Sequence, residues 1–173
     1  MLDTLYSSLF RPTPERVTPQ AGIIIGLIIV LVLALNAGGA VGLGAGGVIG
    51  FTLGFLLAGL LGLFWLSAAV NLLAQLLGGQ SGGQATLIAV TLGLWPLLLT
   101  GPAIAAAKWS ATLGSLFSFV ATLGAFVTLT VAIRRVHHLS WIKAVLCLTS
   151  TLILSGLALL GLIFWPLMIF LGT

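Results

Sequence analysis

From Ala21 to Val70 the chain runs for fifty residues without one Lys, Arg, Asp or Glu. Wound as a single helix at 1.5 Å per residue, that stretch would reach about 75 Å. The hydrocarbon core of a bilayer is about 30 Å thick. The run is therefore too long to cross once and too apolar to leave the membrane, and it must fold back on itself. The best place is "NAGGAVGLGAGG", starting at Asn36, where asparagine and dense glycine allow left-handed backbone and a tight reversal.

Composition enforces the same solvent. Six Lys and Arg with two Asp and Glu make 5% charged residues in a chain of 173 that is 60% hydrophobic, whereas soluble domains carry about 25% charged residues. The resulting net charge of +4 is too sparse to track a nucleic-acid backbone, which needs a dense basic stripe. No nucleic-acid partner is expected.

Placing crossings of about 20 residues gives an all-α integral membrane bundle of five transmembrane helices. They are expected at Thr18–Asn36, Val41–Leu77, Gln84–Ala107, Leu113–Val136 and Trp141–Leu171. The third carries "WP" and "GP", so Pro96 and Pro102 should kink or loosen it, and Pro166 could kink the fifth. Residues 18–173 form this domain, and residues 1–17 form a cytoplasmic segment before it. In that segment Leu2, Leu5, Tyr6, Leu9 and Phe10 share one helical face while Asp3, Ser7 and Ser8 lie off it, as in a short amphipathic helix at a membrane surface. Arg11 and Arg16 followed by Ala21–Leu35 and "NAGGA" imitate a secretory signal, but the segment reads as a retained anchor.

The cations orient the bundle. With the N-terminus cytoplasmic and the C-terminus opposite, Arg11, Arg16, Arg134, Arg135 and Lys143 fall inside and only Lys108 falls outside, as the positive-inside rule requires. Trp109 and Trp141 then sit at opposite interfaces. The uncharged "LLGGQSGGQ" becomes a tight inner hairpin in which glycine bends the chain and amides satisfy backbone or water.

Two patterns stand out as contact surfaces. Small residues recur every fourth position at Gly38, Gly42, Gly46, Gly50, Gly54, Ala58 and Gly62, the spacing that lets another helix approach closely. That helix could belong to this chain, to another copy, or to a larger membrane complex. The stretch "AIRRVHHLSWIKA" gathers Arg134, Arg135, His137, His138 and Lys143. With Arg11 and Arg16, these are the candidates for contact with anionic lipid headgroups or a protein partner.

Chemistry is poorly provided for. His137 and His138 are adjacent and have no third ligand in reach, so no metal site is expected. Ser140 near His138 has no acid to complete a triad. Cys147 lies among apolar neighbours, as a packed neutral thiol does. "GLGAGG" lacks the Lys-Ser/Thr of a phosphate loop. Asp3 and Glu15, the only carboxylates, stand outside every crossing, whereas ion-coupled carriers place ionisable groups within the membrane.

Three stretches resemble the Yip1 family of multi-pass membrane proteins. They are "LFRPTPERV" before the first helix, "LLGGQSGGQATLIAVTLGLWPLLL" across the third, and "AIRRVHHLSWIKAV" between the fourth and fifth. The second is similar to the family's Gly-Gly hairpin and Pro-bearing helix, the third to its basic loop and "LS..KA" pattern. The resemblance implies five helices and a cytosolic N-terminus. Eukaryotic members bind small GTPases in vesicle traffic. This sequence lacks their long acidic tail and is similar to the short prokaryotic members, so no catalytic or cofactor residue carries over.

The reading that follows is a non-enzymatic protein of a prokaryotic inner or internal membrane, without a cofactor. It would act through helix and lipid contacts as an adaptor, scaffold or membrane-organising factor, by self-association or with other membrane proteins. An accessory or assembly subunit of a bioenergetic complex is the alternative. A lipid or small-molecule permeation protein is the third, marked by a polar-lined cavity for which Thr, Ser, Asn71 and Gln75 are the available residues.

Overall fold

The computed structural model describes residues 19–40 and 45–171. They form α1 (Pro19–Ala40), α2 (Ala45–Leu76), α3 (Gly83–Gly93), a 3₁₀ turn (Trp95–Leu99), α4 (Thr100–Ala107), α5 (Ala111–His137) and α6 (Trp141–Leu171). Five stretches are long and apolar enough to cross a membrane, the third being α3, the 3₁₀ turn and α4 taken together. The chain is an all-helical, multi-pass membrane protein, as its sequence demands. Gly42, Arg11, Arg16 and the N-terminal amphipathic segment lie outside the described residues.

The two prolines of the third crossing behave differently. Pro96 has no N–H to donate and its ring crowds the preceding turn. The α-helix stops before it, the Leu94 N–H being shared between the carbonyls of Val90 and Thr91 at 3.1 and 3.2 Å, and a 3₁₀ turn carries the chain past. Pro102 falls in the first turn of α4, where an N–H has no intrahelical acceptor to lose. The expected loosening at Pro102 therefore does not occur. Pro166 likewise lies within unbroken helix.

The third crossing is the centre of the bundle. Of its spanning window 44% is buried, against 6% for α2, although it is the least apolar of the five. Water would bury the most apolar helix; lipid removes that incentive, and close packing decides instead. The main core joins Leu63, Val70 and Ala74 of α2 with Val90, Leu129, Ile133, Ala144, Cys147 and Leu148. Cys147 is packed as expected, its Sγ 3.6 Å from the Val70 carbonyl.

Glycine does allow the helices to meet closely, but not through the expected ladder. A Cβ on Gly22 would lie 2.9 Å from Ile88, one on Gly26 would lie 3.0 Å from both Leu63 and Thr91, and one on Gly59 would overlap Val30. Gly22 and Gly26 are themselves four residues apart, a signal present in "GIIIG" that the longer ladder obscured. Among the described members of the ladder, Gly38 packs inside the chain, against Thr52. A Cβ on Gly46, Gly50, Gly54 or Gly62 would meet none of the described residues within 4 Å, and Ala58 is exposed. The reason is rotational. The packed face of α2 is fixed by Leu63, Ser67, Val70 and Ala74, and Gly62 stands one residue, about 100° of turn, away from it.

Candidate functional site at the basic end of the bundle

The end of α2 answers why the chain turns on uncharged residues. Gly79 N–H donates to the Ala74 carbonyl at 2.8 Å and Gly78 N–H to that of Gln75 at 3.0 Å. These are the two bonds of a Schellman cap. The cap needs a left-handed residue, and Gly78 supplies it at φ +94°. Gly79 is needed for a separate reason: a Cβ there would come within 2.8 Å of both the Ala74 carbonyl oxygen and His137 Nδ1. One glycine is set by conformation, the other by space.

α5 ends in the same way beside it. Leu139 N–H donates to the Arg134 carbonyl at 3.1 Å, and His138 takes the left-handed position at φ 53°. Leu139 is buried, the apolar contact that accompanies such caps.

Between the two caps runs a buried polar chain. The Thr86 hydroxyl, in α3, lies 2.9 Å from His137 Nε2, 3.1 Å from Asn71 Oδ1 and 3.0 Å from the Gly82 carbonyl. With one proton and two oxygen acceptors in reach, Thr86 donates to an oxygen and accepts from His137 Nε2–H. That tautomer leaves His137 Nδ1, buried against Gly79 without a hydrogen-bond partner, as a lone pair. α2, α3 and α5 are thereby fastened through three side chains, each from a different helix.

The remaining cations divide by role. Lys143 Nζ donates to the Leu77 carbonyl at 2.9 Å, placing its charge at the C-terminal end of α2, where the helix dipole favours it. The Arg134 guanidinium lies 4.5 Å from the centre of the Trp141 ring, within range of a cation–π contact. Arg134, Arg135, His138 and Leu139 line an open cavity of about 470 Å³. No carboxylate occurs between residues 19 and 171 to neutralise it.

Of the residues expected to meet lipid or partner, Arg134, Arg135 and His138 are gathered on one surface. His137 is not on that surface: at 1% exposure it is a structural residue, because it follows the helical register that buries Ile133 and Val136. Lys143 is near the surface but engaged with backbone. Sequence reasoning missed Thr86 as a hub, since a threonine in a helical apolar run carries no mark of its own. Asn71 was noticed only as polar lining for a channel.

At the opposite end Trp109 is 91% exposed beside Lys108. Among the described residues no three of His, Cys, Asp and Glu come together as a metal site would require.

The family model described as the Yip1 domain matches residues 7–163. No curated protein and no solved structure matches the chain.

Proposed function

This chain belongs to the Yip1 family, and on that footing we propose that it is a non-enzymatic membrane protein working through contacts made at its basic end. The observation that supports this reading is the Arg134–Arg135–His138 surface at the mouth of the α5–α6 corner, which has no carboxylate partner among the described residues. Two such guanidiniums attract phosphate, and the nearest abundant phosphates belong to the headgroups of the surrounding membrane. In this reading the basic end faces the cytoplasm, and the protein is an adaptor, scaffold or membrane-organising factor.

The test is retention of anionic lipid by the purified protein. Juxtamembrane cations contribute about 1 kcal/mol each, so Arg134→Gln with Arg135→Gln should weaken retention of phosphatidylglycerol by roughly 2 kcal/mol, and added salt should mimic the loss. Lys143→Gln should add little, because its ammonium is already committed to Leu77. Equal retention by the double variant would sink the headgroup role. Labelling of a cysteine placed beside Arg135 in intact cells reports which side the surface faces, and labelling from outside would reverse the orientation.

A second reading has its own observation. The open ladder on α2, Gly46, Gly50, Gly54, Ala58 and Gly62, suits a helix of another copy or of a larger membrane complex. This is the face through which an accessory subunit of a bioenergetic assembly would dock.

A further inference from the structure

A second cavity, of about 440 Å³, lies between α1, α2 and α3 on the flank of the bundle. That falls in the range of about 300–1,000 Å³ typical of small-ligand sites. Its position within the crossings is uneven. Ile23, Phe64, Leu72 and Ile88 make its walls, and Ile23, Phe64 and Leu72 are themselves exposed, so the cavity opens sideways on the apolar flank of the bundle. Most of its polar residues sit at the end nearest the α2–α3 hairpin, where Asn71 faces Gly83 and Gln84; Ser67, one turn deeper, donates its hydroxyl to the Leu63 carbonyl. Phe64 lies two helical turns deeper along α2.

The chemistry of the polar end is one-sided. Asn71 Oδ1 already accepts from Thr86, which turns the amide NH₂ toward Gly83, where a Cβ would stand 3.9 Å from Nδ2. The first turn of α3 has no side-chain cap on its N–H groups, and such groups need an acceptor from elsewhere. Gln84 adds a further amide. The cavity therefore offers hydrogen-bond donors at one end, largely apolar walls along the rest, and no charged residue among its described lining residues.

We propose that this flank cavity binds one chain of a phospholipid, with the ester oxygens held by Asn71 and the first turn of α3 and the acyl chain running past Ala68 toward Phe64. The donors select an oxygen acceptor, the walls select a hydrocarbon tail, and the absence of charge removes any preference among headgroups. This last property separates the cavity from the basic corner. The Asn71–Thr86–His137 chain begins in this cavity and ends in the core beside Gly79, so an occupied cavity would fix the amide that begins it.

The experiment reconstitutes the protein in vesicles of phosphatidylcholine alone, which supply no net anionic charge. After extraction in mild detergent, native mass spectrometry counts the phospholipid retained. The wild type should carry one phosphatidylcholine, Ala68→Phe should lower its occupancy at least tenfold, and Leu61→Phe, at an exposed position of the same helix outside the cavity, should leave it unchanged. Arg134→Gln with Arg135→Gln should also leave it unchanged, so failure here is distinct from failure of the headgroup reading. Equal occupancy in wild type and Ala68→Phe would overturn the proposal. A second measurement is independent of any variant: lysophosphatidylcholine should raise the Tm of the delipidated wild type, and glycerophosphocholine, which has the head without the chain, should not. Absence of a shift with the lyso-lipid, or an equal shift with both, would overturn it as well.

Discussion

Glycine occurs densely in two parts of this molecule, and its meaning is opposite in each. At the α2–α3 hairpin, Gly78 and Gly79 are held by positive φ and by a 2.8 Å approach to backbone and imidazole. Along α2, a Cβ on Gly46, Gly50, Gly54 or Gly62 would meet nothing among the described residues. The first pair is needed to fold the protein. No described neighbour requires the second group, so those positions are the ones left open to a further contact. Regular spacing alone did not separate the two cases; the neighbours did.

The contrast can be broken most sharply at Gly79. Gly79→Val should destabilise the protein by about 3 kcal/mol, as overpacking against rigid neighbours does, and thermal unfolding in detergent will read it. A wild-type Tm in this variant would mean that the hairpin is looser than its bonds to Ala74 and Gln75 indicate. A middle-sized effect is expected where the hairpin is held from outside. Lys143→Met keeps most of the stem but removes the charged donor to Leu77, and should cost about 1 kcal/mol. Lys143→Arg, which keeps a donor, should recover part of the loss; equal loss in both would assign the effect to packing.

The smallest effect belongs to the ladder. Gly50→Leu should leave stability within about 0.5 kcal/mol of the wild type, since the added side chain enters lipid. Its informative readout is native mass. A shift to a smaller species would assign the ladder to association, and an unchanged mass with unchanged Tm would leave it without a role in contact.

How far the sequence could be read follows the same division. Five crossings were legible because charge-free length is a coarse property, fixed by the thickness of the bilayer and insensitive to which residue touches which. The break at Pro96 was legible because proline acts on its own helix. Rotation was not. Every face of α2 is apolar, so no amphipathic pattern reveals which side meets the bundle, and the most conspicuous small-residue ladder points away. The polar hub was harder still. His137 and His138 are indistinguishable as letters, yet helical register sends the first to Thr86 and the left-handed cap turns the second to the surface.

The links at the basic end also impose an order in time. Leu77 is made 66 residues before Lys143, and Thr86 is made 51 residues before His137. At a synthesis rate of about 5–20 residues per second, the first of those intervals lasts roughly 3–13 seconds. Over that interval a nascent chain goes from two crossings to four with the hairpin carbonyl, and from residue 86 the threonine hydroxyl, short of their final partners. The bundle is latched by its last two helices, and a chain truncated before them keeps its membrane anchors but never closes the latch.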